Sequence, residues 1–288
     1  MKIYTKTTSN IEAVLTDSFL ELYDKFSKSE KSYDNISLLT CNFNNSYVTM
    51  KMLESFMRLE RKLKIHILDN STTTRIDPWF SKYFNVVDNY NFKLVKNYEQ
   101  KSRNHCAAID YALKNLIDTD YVLLVDNDIL YKKSFLGILS YYNKYDIIGE
   151  INYDYIIPDR LLPYCCIINL KKVKEEKINY FDKNRCCYKT VMYNTKPDIQ
   201  GFKYITGCNF LYDTGASFYE DIRRQPNWKI KKLNLNDYIV HYMAGSDEKE
   251  RQINNKYNSI NYLYKNYSHF IEINKDLLYD SQKTSISK

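Results

Sequence analysis

The chain is 288 residues long and 44% hydrophobic, enough to bury a full core as one large α/β domain or one domain with appendages. Its 6 Gly and 5 Pro argue against long flexible linkers, and no apolar run is long enough to span a bilayer. The net charge of +7 comes from scattered lysines without a dense basic block, so it suits an anionic small substrate, a nucleic acid or an anionic membrane surface about equally.

Met1 to Asn10 lack an apolar signal region, so the chain reads as soluble. Seven Cys is an odd number with no C-x-x-C spacing, and the adjacent pairs Cys165-Cys166 and Cys186-Cys187 suit neither zinc nor an unstrained disulfide. Free thiols in a reducing cytosol are the expectation.

Taken in order, Ile11, Val14, Leu15, Phe19, Leu22 and Phe26 recur at three- and four-residue spacing, which predicts an amphipathic helix packed on the domain or on a partner. Ile36 to Cys41 reads as a first buried strand, Asn42 to Ser46 as a polar turn, and Val48 to Leu63 as a helix. Lys64 to Asp69 reads as a second strand, Phe92 to Val95 as a third, and Ser102 to Leu116 as a helix. Tyr121 to Asp126 is a strand buried on both faces. Further strands are expected at Asp146 to Glu150, Cys165 to Leu170 and Tyr204 to Leu211. Ala216 to Arg224 is expected to be a helix capped by Asp213 or Thr214. Short strands come between Trp228 and Val240, ending at His241, and Glu248 to Leu278 reads as helical.

Strand, helix, strand, strand, helix, strand is the rhythm of an open, mostly parallel α/β sheet, in which ligands bind outside the carboxyl ends of the strands. Thr40, Asp69 and Asp126 all fall at such ends. The strand ending in Asp126-Asn127-Asp128 carries the sharpest chemical signal. Two carboxylates one residue apart repel each other unless a cation offsets their charge, and Mg²⁺ or Mn²⁺ takes such oxygen ligands. The alternative is a solvated turn that merely caps the next helix. No glycine-rich dinucleotide or P-loop motif is present.

With the strand ends laid out, the chain resembles the GT-A fold nucleotide-sugar glycosyltransferases, most closely the family-2 type. The matching pieces are Leu39-Thr40-Cys41-Asn42, Ile67-Leu68-Asp69-Asn70-Ser71, Ser102-Arg103-Asn104-His105-Cys106-Ala107-Ala108 and Val125-Asp126-Asn127-Asp128. Tyr212-Asp213-Thr214-Gly215 and Val240-His241-Tyr242-Met243-Ala244-Gly245-Ser246 complete the set, in the family's order. Two pieces depart from the family. Ile129 stands where a third carboxylate is common, and Asp213-Thr214 replaces a Glu-Asp pair, with Glu220-Asp221 further on.

The resemblance implies a Rossmann-like GT-A sheet over residues 36–246, with a nucleotide-binding half at 36–130 and an acceptor half at 131–246. A helical extension (1–35) and a helical tail (247–288) would flank it. It implies a metal-dependent, inverting hexosyl- or N-acetylhexosaminyl-transferase using a nucleoside-diphosphate sugar, UDP favoured, and a glycan or lipid-linked acceptor. No nucleic acid is implied, and the setting would be cytoplasmic, compatible with peripheral membrane contact. Thr40 would line the base pocket through its backbone, and Asp69 would hold the base or ribose, or else only cap its turn. Arg103 would pair with the diphosphate or sit on a solvated helix start, and Asp126 and Asn127 would face the donor. Asp126, Asp128 and His241 would hold Mn²⁺ or Mg²⁺. Asp213 would be the general base, with room for the acceptor left by Gly215 and with Glu220 and Asp221 in reserve. The aromatic stretch Tyr153 to Tyr164 and Trp228 would stack on acceptor sugars or pack in the core. His105 would pack near the donor, and His66 and His269 would be structural.

Two other classes are weighed. A D-x-D-x-[TV] phosphatase would need Thr or Val where Leu130 stands, and a sugar nucleotidyltransferase would need a glycine-rich loop where Asn42-Phe43-Asn44-Asn45 stands. A nucleotide- or carbohydrate-binding module that kept the fold and lost the chemistry is the non-enzymatic alternative.

Overall fold

The structure is a computed structural model and describes residues 13–30, 32–71, 75–88, 101–134, 142–152, 160–180, 188–190, 209–211 and 214–241. The expected strand at Phe92 to Val95 and the expected helix from Glu248 lie outside these residues, as do Asp213, Cys186, Cys187, Cys208 and His269.

Helix α1 (Asp17–Ser27) is capped by Thr16, whose Oγ1 accepts from the Phe19 amide at 3.2 Å. Its apolar side is turned inward. Phe19 and Phe26 are buried, and Phe19 meets Trp79 edge-on at 5.2 Å and Phe84 at 6.3 Å. No helix among the described residues is long and apolar enough to cross a bilayer.

Strand β1 (Ser32–Asn42) leads to α2 (Ser46–Leu59), capped by Asn45, and then to β2 (Lys62–Asp69). β3 (Asn85–Asp88) comes after a 3-10 turn at Pro78–Lys82. α3 (Lys101–Asn115) then feeds β4 (Tyr121–Asp126) and the short β5 (Ile129–Tyr131). β6 (Ile147–Asn152), β7 (Arg160–Asn169), α4 (Leu170–Glu175), β8 (Tyr188–Thr190) and β9 (Asn209–Leu211) come next. α5 (Ala216–Arg223), β10 (Ile230–Lys232) and β11 (Ile239–His241) complete the described chain.

Seven strands form one sheet in the order β10-β6-β7-β4-β1-β2-β3. The pairs β2–β3, β1–β2 and β1–β4 are parallel, and β7 runs antiparallel to both neighbours. This is the open, mixed, mostly parallel α/β sheet flanked by helices that the sequence predicts. The apolar runs alternate between its two faces. Ile36, Leu38, Leu123 and Val125 join Phe19 and Phe56 of α1 and α2 in one buried cluster. Leu39, Val122 and Leu124 join Ala108 and Ala112 of α3 and Phe218 and Ile222 of α5 in the other. The chain moves outward from β1 through β2 to β3, then returns to the other side of β1 as β4. The carboxyl ends of β1 and β4 therefore flank a crevice of the kind in which α/β sheets bind ligands.

His66 on β2 illustrates the cost of this burial. It is 4% exposed, and its Nε2 has no hydrogen-bond partner. Burial, reinforced by Lys64 and only partly opposed by Asp118, lowers its pKa to about 4. An unfolded chain would take up this proton near pH 6.5, well before the folded one. Stability carried by neutral His66 is thus present above pH 6.5 and lost as pH falls toward 4. Between pH 7 and 5 the wild type should lose about 2 kcal/mol more than His66→Leu in urea melts. Parallel curves for the two proteins would refute this account.

Candidate metal centre and donor site

Three side chains meet at the carboxyl edge. Asp126 ends β4, Asp128 lies in the turn just after it, and His241 arrives on β11 from far along the chain. The ribbon of β5 and β11 delivers it, because antiparallel pairing sets His241 opposite Ile129, next to Asp128. His241 Nε2 lies 3.3 Å from Asp128 Oδ1. Each of the three residues offers a ligand atom, and these atoms lie within 4.8 Å of one another. Asp128 is buried, whereas Asp126 and His241 stay partly open to solvent. Burial alone would depress the His241 pKa, but the hydrogen bond and charge of Asp128, with Asp126 behind it, raise it above its ordinary value. The carboxylates thus draw positive charge to this point. Two carboxylates and an imidazole form a donor set that fits a divalent cation.

A second tier of contacts aims the imidazole. The Tyr164 ring stacks on His241 with centroids 4.4 Å apart and planes 24° from parallel, rather than lying open for an acceptor sugar. Its hydroxyl donates to Glu150 at 2.9 Å, and Glu150 also accepts from the Leu235 amide at 3.2 Å. Burial, then this bond to Glu150, raise the Tyr164 pKa, so it remains a phenol. Tyr164 reaches this place because β7 is irregular. Its register against β6 jumps from Gly149↔Cys166 to Ile151↔Leu161, leaving Leu162 to Tyr164 in the slack. Such bulges re-aim side chains at the rims of sites.

The other expected site residues fall differently. Strand β1 runs on to Asn42, so Thr40 sits inside the sheet, fully buried, two residues short of the rim. Asp69 does stand at the rim of β2, but its carboxylate is 2% exposed and already engaged. Oδ1 accepts from Asn42 Nδ2 at 3.0 Å and Ser71 Oγ at 2.5 Å, and Oδ2 accepts from the Ile76 amide at 3.0 Å. In this structure it holds its own turn. Asn127, expected to face the donor, is instead 4% exposed and turned inward, giving its Nδ2 to Thr49 Oγ1 at 3.0 Å. Arg103 lies in the first turn of α3, where side chains are outside the described part. His105, one turn on, places Nε2 3.8 Å from Asp126 Oδ1. Glu220 of α5 pairs with Arg224.

Gly215, not Asp213 or Thr214, caps α5, with φ of +83°. A Cβ there would lie 2.4 Å from the Leu161 carbonyl oxygen, so the glycine serves the backbone rather than leaving room for an acceptor. Trp228 likewise packs in the second cluster, with its Nε1 bonded to Glu176 at 2.7 Å and Lys172 over its ring. Cys41, Cys106, Cys165 and Cys166 are buried free thiols, as expected. Burial, then the charge of Asp126, push the Cys41 thiol up, which makes it an inert neighbour of the centre rather than a nucleophile.

Sequence reasoning gave no role to Asn42 and Ser71, although both close pieces that carry the resemblance, and it did not single out Thr49.

No protein-family model matches the chain, and no curated protein matches it. Among solved structures, it is similar to the galactosyltransferase LgtC in complex with donor and acceptor sugar analogs (16% identity, 49% of this chain and 62% of that chain, TM-score 0.39). It is also similar to the glycosyltransferase GlyE of Streptococcus pneumoniae TIGR4 (12% identity, 71% of this chain and 46% of that chain, TM-score 0.38). A third is the mannosyltransferase PcManGT of Pyrobaculum calidifontis in complex with GDP-Man and Mn²⁺ (9% identity, 72% and 67% of the two chains, TM-score 0.37). The chain spans less than two thirds of the length of the first two. Likenesses this slight decide nothing about chemistry, which has to be read from the strand ends themselves.

Proposed function

We propose that the protein is a metal-dependent inverting glycosyltransferase, moving a hexosyl or N-acetylhexosaminyl group from a nucleoside-diphosphate sugar, UDP favoured, to a hydroxyl of a glycan or lipid-linked acceptor. The observation that carries this reading is the convergence of Asp126, Asp128 and His241 beside the crevice between β1 and β4. Mn²⁺ or Mg²⁺ held by these three residues would supply counter-charge for the departing diphosphate.

The remaining roles belong to the chain itself. Asp213, placed by sequence just before α5, takes the proton of the acceptor hydroxyl as general base, with Glu220 and Asp221 in reserve. The acceptor oxygen bonds to the anomeric carbon as the bond to the diphosphate oxygen breaks, and one displacement inverts that carbon. Arg103 and His105, at the start of α3, are the residues through which the chain would meet the diphosphate and ribose. The test is calorimetric binding of UDP and GDP with and without Mn²⁺. Metal-dependent binding of one nucleotide supports the donor site and names its base. A folded protein that binds neither would leave the carboxylates as turn residues.

Tyr164 gives a second check. Groups that orient a ligating histidine are commonly worth ten- to a hundredfold in metal affinity. Tyr164→Ala should weaken Mn²⁺ binding about tenfold. Tyr164→Phe keeps the stack on His241 and loses only the bond to Glu150, so its loss should be smaller. Equal affinities in all three proteins would show that the stack does not aim the imidazole.

A further inference from the structure

A run of buried hydrogen bonds ties the metal turn to the end of the neighbouring strand pair. Asn127 Nδ2 donates to Thr49 Oγ1 at 3.0 Å, and Thr49 Oγ1 donates to Asn42 Oδ1 at 2.8 Å. Asn42 Nδ2 donates to Asp69 Oδ1 and to Ser71 Oγ, both at 3.0 Å. Asn127, Thr49, Asn42 and Asp69 are all buried, and three different elements and the Asp-Asn-Asp turn supply them.

The direction of the run is fixed by chemistry. An amide nitrogen can only donate, an amide oxygen and a carboxylate can only accept, and a hydroxyl has one proton to give. Thr49 is therefore the single member that must accept from one amide and donate to another. Bonds aligned head to tail in a dry interior strengthen one another, and a missing member leaves its neighbours buried and unsatisfied. Asn127 lies between the two carboxylates of the centre, so pinning its side chain fixes the backbone that carries both. At the other end, the second oxygen of Asp69 accepts from the Ile76 amide at 3.0 Å.

Resting on the reading of the centre given above, we infer that Thr49 is a positioning residue for the metal centre, acting through Asn127, and that Asn42 links that centre to Asp69 at the end of β2. Thr49 touches no ligand. Its hydroxyl decides whether Asp126 and Asp128 are presented together.

The experiment measures the Mn²⁺ dissociation constant by calorimetry for the full chain, for Thr49→Val and for Thr49→Ser, with thermal melts of each in the absence of metal. Val copies the shape of Thr without the hydroxyl, and Ser restores the hydroxyl. Thr49→Val should bind Mn²⁺ about tenfold more weakly, the scale typical of groups that orient ligands, and Thr49→Ser should recover most of that loss. A purely structural Thr49 would lower the melting temperature of Thr49→Val with Mn²⁺ affinity unchanged below the transition, and this would overturn the inference. Should Thr49→Val fail to fold, Asn127→Ala cuts the same link from its other end and must show the same loss. A wild type that binds no Mn²⁺ would sink the reading of the centre itself. A wild type that binds, beside a Thr49→Val that binds equally well, sinks only the role of Thr49.

Discussion

Asp128→Ala is expected to abolish Mn²⁺-dependent nucleotide binding while leaving a folded protein. Removing groups that merely orient ligands costs ten- to a hundredfold in affinity, so removing a direct ligand should cost more than about a hundredfold. The fold should survive because neither apolar cluster includes Asp128. Asp128→Asn keeps an oxygen and loses the charge, so it should fall between Ala and wild type. Melting curves give a second readout. At a ligand concentration about 100 times the dissociation constant, binding adds about 2.7 kcal/mol of stability. For a protein of this size that raises the melting temperature by on the order of 5–10 °C. Mn²⁺ with UDP should produce this rise in the wild type and none in Asp128→Ala. An undiminished rise in the variant would remove Asp128 from the centre.

Gly215→Ala is expected to be the most destabilising single-methyl change in the described fold. Two penalties add there. The φ of +83° costs a residue with a Cβ about 1–2 kcal/mol. The new carbon would also lie 2.4 Å from the Leu161 carbonyl, a backbone atom that can retreat only if β7 moves. Together they should exceed about 3 kcal/mol, with a fall in melting temperature on the order of 10 °C. Gly149→Ala is the internal comparison. Its added carbon would meet Cys166 Cβ and Leu161 Cδ1 at 2.9 Å, but its φ is ordinary and the approach is longer than the 2.4 Å at Gly215. It should cost less than Gly215→Ala. The reverse order would mean that the α5 cap adjusts and that the sheet, not the cap, is the rigid partner. Leu161 lies close to both glycines, immediately before the slack that carries Tyr164 over His241.

The long apolar strands were legible because burial on both faces leaves no other assignment for runs such as Tyr121 to Val125. β3 was not. Val86 and Val87 are its only apolar residues, flanked by Asn85 and Asp88, and parallel pairing with β2 rather than composition makes it a strand. The extra length of β7 was hidden by Pro163, which reads as a break in sequence and sits in the register jump in space. At the centre, the two carboxylates could be read from their place at the end of an apolar run, whereas His241 was named only through the resemblance, since by itself a histidine in an apolar run reads as core. The partners of Asp69 could not be read. They depend on the register that sets Asn42 opposite Asp69 and on the first turn of α2 lying beneath the metal turn, and neither is written in local sequence. The same holds for Asn127: a polar residue between two carboxylates at a strand end reads as facing the donor, and the buried hydroxyl to which it donates shows only in the fold.

The three-residue ribbon of β5 and β11 has a kinetic meaning as well. A two-stranded ladder this short has little stability of its own, and its halves are separated by most of the second half of the sequence. Contacts that close so long a loop form late. A molecule in which β11 has not yet docked would already have the parallel strands and both aspartates in place but would lack the imidazole. If the three residues hold an ion, competence to hold it would depend on β11 having docked, which ties the candidate centre to a stretch distant in sequence.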